Sequence, residues 1–264
     1  MITIKEMVNN YISSGMTLNQ AESSACQKII ISKISKSKLA DNVLLKGGVV
    51  MFNLTKNIRR TTADLDFDFI RYDISDVSLN LFFEMLNNVD AQYTLKILSI
   101  RDLNQDDYQG KRVITSVSDK TRIIKFKLDI GVHTLMAIEQ NTTCFSFDGE
   151  KLFLKVNPIE QIFSEKLYSL AKHGALSTRY KDVFDMYYLI KNEKMDKKLV
   201  KKCLELLTIK KLFNLNTIED VIERVDDTLE DKQFANYVVN AKEKWIDADY
   251  TFVKESILDY INSI

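Results

Sequence analysis

Residues 64–69 read Asp64-Leu65-Asp66-Phe67-Asp68-Phe69, a strict alternation of carboxylate and apolar side chain. Successive residues of a strand point to opposite faces. The pattern therefore predicts a strand with Leu65, Phe67 and Phe69 toward a core and three aspartates on the other side. Carboxylates about 6.5 to 7 Å apart along one face repel each other, and a hard divalent cation relieves that repulsion. Asp64 and Asp66 are accordingly candidate metal ligands. A half-exposed antiparallel strand with a solvated acidic face shows the same alternation, so the chemistry depends on the segments around it.

Two neighbouring segments bear on it. Upstream, Lys46-Gly47-Gly48 follows an apolar strand, Val43 to Leu45, and precedes a short apolar helical stretch, Val49 to Leu54. Glycines at such a junction let backbone amides come close to a ligand, and phosphate is the natural ligand of a helix start. Downstream, Ile124, Phe126, Leu128 and Ile130 alternate with Lys125, Lys127 and Asp129, which predicts a strand over Ile123 to Ile130. Asp129 on its polar face is either a third acidic ligand or a surface residue beside two lysines, because nothing in the sequence sets how this strand pairs with the first. Further strands are expected at Thr94 to Ile100 and Arg112 to Val117. A hairpin is expected from Cys144 to Phe147 and Lys151 to Val156 around Asp148-Gly149.

The single proline, Pro158, separates this strand-rich half from a helical one. Asn157 is expected to cap a helix with Pro158 in its first position and Glu160 completing a capping box, and Gly174 to end it. Thr178 is expected to cap the next helix, on which Lys181 and Asp185 stand four residues apart and able to pair. Lys166, beside the buried stripe of the first helix, reads as a lysine whose stem packs while its ammonium reaches into a cleft, or as a helix lysine snorkelling outward, and its removal is expected to spare the fold. Asp182 lies near the start of the second helix, where a carboxylate suits the helix dipole. The tail, residues 197–264, shows helical spacing with lysine-rich faces. The expected organisation is α+β, with a strand-rich lobe over 1–156 and a helical lobe over 157–264.

Composition narrows the classes. At 264 residues with 45% apolar and 28% charged residues, the chain fits a folded globular protein of one large domain or two lobes. Its formal net charge of zero argues against a uniformly basic nucleic-acid binder and leaves local patches, of which the stretch Lys191, Lys194, Lys197, Lys198, Lys201, Lys202, Lys210 and Lys211 is either an RNA backbone site or a solvated helix face. Three cysteines far apart read as reduced thiols, which points to the cytoplasm. No signal-peptide pattern and no run of about 20 apolar residues suggests export or membrane insertion. Two histidines make a His-based zinc site improbable and favour oxygen ligands.

Four fragments in order carry a resemblance: Lys46-Gly47-Gly48, Arg60-Thr61-Thr62-Ala63-Asp64-Leu65-Asp66, Glu165-Lys166-Leu167 and Arg179-Tyr180-Lys181-Asp182-Val183-Phe184-Asp185. Over roughly residues 40 to 190 the chain resembles the AbiEii/AbiGii nucleotidyltransferase toxin family, which includes the MenT toxins of abortive infection and phage defence. The resemblance implies a polymerase-beta-like nucleotidyltransferase core with a mixed sheet, followed by a helical C-terminal lobe, and a nucleotide held in the cleft between them. It implies that Gly47, Gly48, Thr62, Lys166 and Arg179 contact an NTP substrate. It gives Asp64, Asp66, Lys166 and Asp182 catalytic roles and makes Asp64 and Asp66 the ligands of Mg2+ or Mn2+, with Asp129 the candidate third ligand from the alternation of its own strand. Nucleotide transfer to RNA, in particular to the tRNA 3′ end, and control by a cognate antitoxin are implied as well. Where the family pattern often has serine after the first glycine, Gly48-Val49 stands here, which leaves the turn its backbone role only. Two other readings use the same residues: transfer to a small molecule, as in antibiotic nucleotidyltransferases, and nucleotide binding by a regulator without turnover.

Overall fold

A computed structural model describes residues 2–105, 108–135, 137–147, 149–242 and 244–264. The chain divides into two compact units, Met1–Val156 and Asn157–Ile264.

The first unit is built on a seven-stranded sheet. In chain order it contains helices α1 (Ile4–Ser13) and α2 (Leu18–Lys36), strand β1 (Val43–Lys46), helix α3 (Gly47–Thr55), strand β2 (Asp64–Phe69) and helix α4 (Asp76–Asn87). Strands β3 (Thr94–Gln105), β4 (Tyr108–Ser118), β5 (Ile123–Val132), β6 (Asn141–Phe147) and β7 (Glu150–Val156) follow. The strand order is β3-β4-β5-β2-β1-β7-β6, and the sheet is mixed, since β2 runs parallel to β5 and β1 parallel to β7 while the other pairs are antiparallel. Together with the helical second unit this makes the fold α+β. Central β1 is Val-Leu-Leu-Lys, apolar without alternation, as a strand covered on both faces requires. In β2 the expected alternation holds: Leu65, Phe67 and Phe69 are fully buried. Phe82 of α4 meets Phe67 at 5.8 Å and Phe69 at 5.0 Å between ring centroids. Burial of each of these rings stabilises the sheet by roughly 1.5 to 3 kcal/mol. This aromatic anchoring sets which face of β2 is core, and so which face carries the aspartates. The β6–β7 hairpin forms as expected. Its turn residue Asp148 lies outside the described residues, and Gly149 has φ +84°.

The second unit contains α5 (Ile159–His173), α6 (Tyr180–Asn192), α7 (Lys197–Thr208), α8 (Ile218–Glu230), α9 (Lys232–Val239) and α10 (Tyr250–Ile261). Helix α5 packs on α6, α7 and α8 around Phe163, Leu167, Phe184, Leu204 and Val225. Two helix starts differ from expectation. Pro158, not Asn157, is the N-cap of α5, and it offers no side-chain bond. The Asn157 amide N–H turns to Glu165 (3.1 Å) and Glu160 accepts the Asp196 N–H (2.9 Å), and the box does not form. Arg179, not Thr178, caps α6, and its N–H goes to the Ser177 hydroxyl at 3.2 Å. Adjacent Ser and Thr are equal candidates for that role by type alone.

Candidate metal and nucleotide site

Register decides what the acidic face of β2 can do. Parallel pairing with β5 sets Asp64 beside Lys127, Asp66 beside Asp129 and Asp68 beside Gly131. One ligating oxygen from each of Asp64, Asp66 and Asp129 can be chosen so that all three lie within 4.8 Å of one another. Asp68, also on the acidic face, is outside this cluster: it is buried and its carboxylate meets Lys46 Nζ at 3.0 Å. The strand therefore contributes two carboxylates to the cluster, and the third comes from its neighbour.

Each outer carboxylate is held by named partners. Asp64 accepts a hydrogen bond from Thr62 Oγ1 (2.7 Å) on one oxygen and lies 2.6 Å from Lys127 Nζ on the other. The Gln27 amide spans the Thr62 and Asp64 carbonyls at 3.0 and 2.8 Å and so fixes the entry into β2. Burial works to raise the Asp64 pKa, but the Lys127 and Thr62 contacts outweigh it and hold the group below the ordinary carboxylate range. Arg112, opposite Asp129 on β4, grips it bidentately, Nε to Oδ1 and Nη2 to Oδ2, both at 2.8 Å. Asp66, between them, makes no salt bridge among the described residues. Burial, then the charges of Asp64 and Asp129, push it up to about 7. A set of three carboxylates whose central member resists ionisation is short of positive charge, and its all-oxygen donors suit a hard dication such as Mg2+ or Mn2+.

The glycines are explained by the same cluster. A Cβ on Gly47, which has φ +63°, would stand 2.3 Å from Asp66 Oδ2, and one on Gly48 would stand 2.6 Å from Thr62 Cβ. The start of α3 is thus pressed directly onto Asp66 and Thr62. Only residues without a side chain permit that approach.

In the second unit Lys166 is not an outward-reaching lysine. It is buried, with its ammonium 2.5 Å from Asp182 Oδ1 and 2.7 Å from Asp185 Oδ2, and Asp185 is fully buried. The Asp185 carboxylate, expected to pair with Lys181, is engaged by this internal ammonium. Arg179 keeps an exposed guanidinium 3.6 Å from Asp182. Lys127, Arg112 and Asp185 were not singled out as site residues by the sequence. The first two emerge only once the register of β2, β5 and β4 is known, and the third is hidden by its place one turn beyond Asp182.

A family described as nucleotidyl transferase AbiEii toxin, Type IV TA system, matches residues 29–251. No curated protein sequence matches. Among solved structures, JHP933 from Helicobacter pylori is similar at 16% identity and TM-score 0.49, with 94% of this chain and 93% of that one covered. An antigenic nucleotidyltransferase-like protein from Paracoccidioides brasiliensis is similar at 15% identity and TM-score 0.43, with 77% and 91% covered.

Proposed function

The chain belongs to the AbiEii nucleotidyl transferase toxin family of type IV toxin–antitoxin systems, and on that footing we propose that it transfers a nucleoside monophosphate from an NTP to RNA, at the tRNA 3′ end, with Asp64, Asp66 and Asp129 holding Mg2+ or Mn2+. The observation that carries this reading is the convergence of those three carboxylates within 4.8 Å against the glycine start of α3. The ion supplies positive charge where the triphosphate and the attacking hydroxyl meet.

The protein's own groups orient the parts. Thr62 and Arg112 fix the carboxylates of Asp64 and Asp129, so little reorganisation accompanies binding. The N–H groups at Gly47 and Gly48, with the positive end of the α3 dipole, receive phosphate oxygens. In the second unit we assign Lys166 and Arg179 to phosphate contact and Asp182 to the acidic catalytic role; the Lys166–Asp182 ion pair holds two of these groups at one point. The exposed lysines of α7, Lys197, Lys198, Lys201 and Lys202, offer RNA backbone contacts. A cognate antitoxin is the regulatory partner, and the three free cysteines support action in a reducing cytoplasm. Among the described residues no helix is long and apolar enough to cross a membrane.

Incubation with each labelled NTP in turn and total cellular RNA, with and without chelator, tests the proposal. Label is expected on RNA of tRNA size, only with the divalent ion present, and not with Asp66→Asn. Label on a small molecule instead would move the protein to the antibiotic-type transferases. NTP binding without transfer of any label would make it a regulator.

A further inference from the structure

The contacts on the three carboxylates differ in how firmly they are made. Arg112 takes both oxygens of Asp129 with a planar fork, and Thr62 reaches Asp64 from two residues away along the chain. Lys127 makes a single contact, Nζ to Asp64 Oδ2 at 2.6 Å, from a flexible four-carbon stem with 36% of its side chain exposed. An ammonium is a strongly hydrated point charge on a mobile stem, and it leaves one partner for another more readily than a bidentate guanidinium does. Asp64 is one of the three carboxylates of the cluster, and an ammonium on one of its oxygens weakens the attraction of that carboxylate for a dication.

We propose that Lys127 is an exchange residue. It neutralises Asp64 until a divalent ion enters, yields that oxygen to the ion, and turns its ammonium to the triphosphate of the incoming nucleotide. The inference rests on the metal and nucleotide reading given above. The exchange makes and breaks ion pairs only: Lys127 stays protonated, its carboxylate partner passes to the dication, and phosphate becomes its new partner. Charge is therefore balanced at each stage without proton transfer. The two halves carry opposite signs. Lys127 competes with the metal when the metal binds alone, and it assists the nucleotide when the metal is present. A purely structural lysine would support both events, and a bystander neither.

The test uses the full chain in three forms, wild type, Lys127→Gln and Asp66→Asn, with Lys127→Arg as a charge-retaining control. Free Mn2+ is followed by electron paramagnetic resonance during titration of nucleotide-free protein, and ATP, GTP, CTP and UTP are then titrated calorimetrically at saturating Mn2+. Lys127→Gln is expected to tighten Mn2+ about tenfold and to weaken the preferred NTP by a similar factor. Lys127→Arg, which keeps the charge but releases a carboxylate less readily, is expected to bind Mn2+ no tighter than wild type. Unchanged or weaker Mn2+ binding in Lys127→Gln, or an unchanged NTP affinity, overturns the exchange. Should wild type fail to take up Mn2+, or Asp66→Asn bind it as wild type does, the metal site itself is refuted, and that outcome is read independently of Lys127.

Discussion

At the scale of single residues, Asp66 and Lys166 illustrate opposite solutions to a buried charge. Asp66 makes no salt bridge among the described residues, and burial beside Asp64 and Asp129 raises it from 3.8 to about 7. A pKa raised on folding means that the folded state binds the proton more tightly. The resulting stability is complete below the unfolded value near 3.8 and is lost as pH rises through 7. In chelator, wild type is expected to lose roughly 1 to 3 kcal/mol between pH 5 and pH 8.5 from this group, a figure discounted for its partial exposure. Asp66→Asn, neutral throughout, should lack that component, melt higher than wild type at pH 8.5 and show no transfer. A pH profile of the melting temperature identical in the two proteins would contradict this. Lys166 sits between two carboxylates, one of them fully buried. Whereas the sequence suggests a lysine whose loss spares the fold, the structure predicts that Lys166→Ala strips two carboxylates, one of them fully buried, of their shared ammonium and costs about 3 to 5 kcal/mol in urea unfolding. Adding Asp185→Asn should recover part of that loss.

At the scale of elements, what was legible followed from periodicity. Strands β1, β2 and β5 could be read because each has one face, or both, committed to a core, and the hairpin of β6 and β7 because alternation flanks a glycine. Helix α2 could not be read. Residues around most of its circumference are buried, from Ala21 and Ser24 to Lys33 and Ile34, so no apolar stripe stands out. The caps of α5 and α6 fall one residue later than expected, on Pro158 and Arg179, neither of which makes a side-chain cap bond. Candidate ligands Asp64, Asp66 and Asp129 could be named from the two alternating strands, but their supports on β4 and β5 could not, since register is a tertiary property. The start of α3 connects element to site. Gly48→Ala would press a methyl group onto Thr62 and disturb its bond to Asp64. We expect a stability cost of about 1 to 3 kcal/mol and a fall in Mn2+ affinity of at least about tenfold. Gly149→Ala, with nothing within 4 Å of the added carbon, should show only the cost of its positive φ and bind Mn2+ as wild type does.

At the scale of the whole molecule, each unit has its own core and its own charge network. Phe67, Phe69 and Phe82 anchor the sheet beneath the acidic cluster, while Phe163, Phe184 and Leu204 enclose the helices that carry the Lys166 pairs. The fourth residue of the acidic neighbourhood, Asp68, is neutralised within the first unit by Lys46, and Asp185 within the second by Lys166. Local stability in a protein divides along such lines, and amide hydrogen exchange reads it segment by segment. Mn2+ bound to Asp64, Asp66 and Asp129 stabilises only the structure that holds it, by an amount set by its concentration relative to Kd. Saturating Mn2+ without nucleotide is therefore expected to slow exchange in β2, β4, β5 and the start of α3 while leaving α5 to α10 unchanged. Lys166→Ala should do the reverse, speeding exchange in α5 and α6 with the sheet unaffected. If either perturbation changes protection uniformly across both units, they open as a single cooperative system, and the separation of the two charge networks has no energetic meaning.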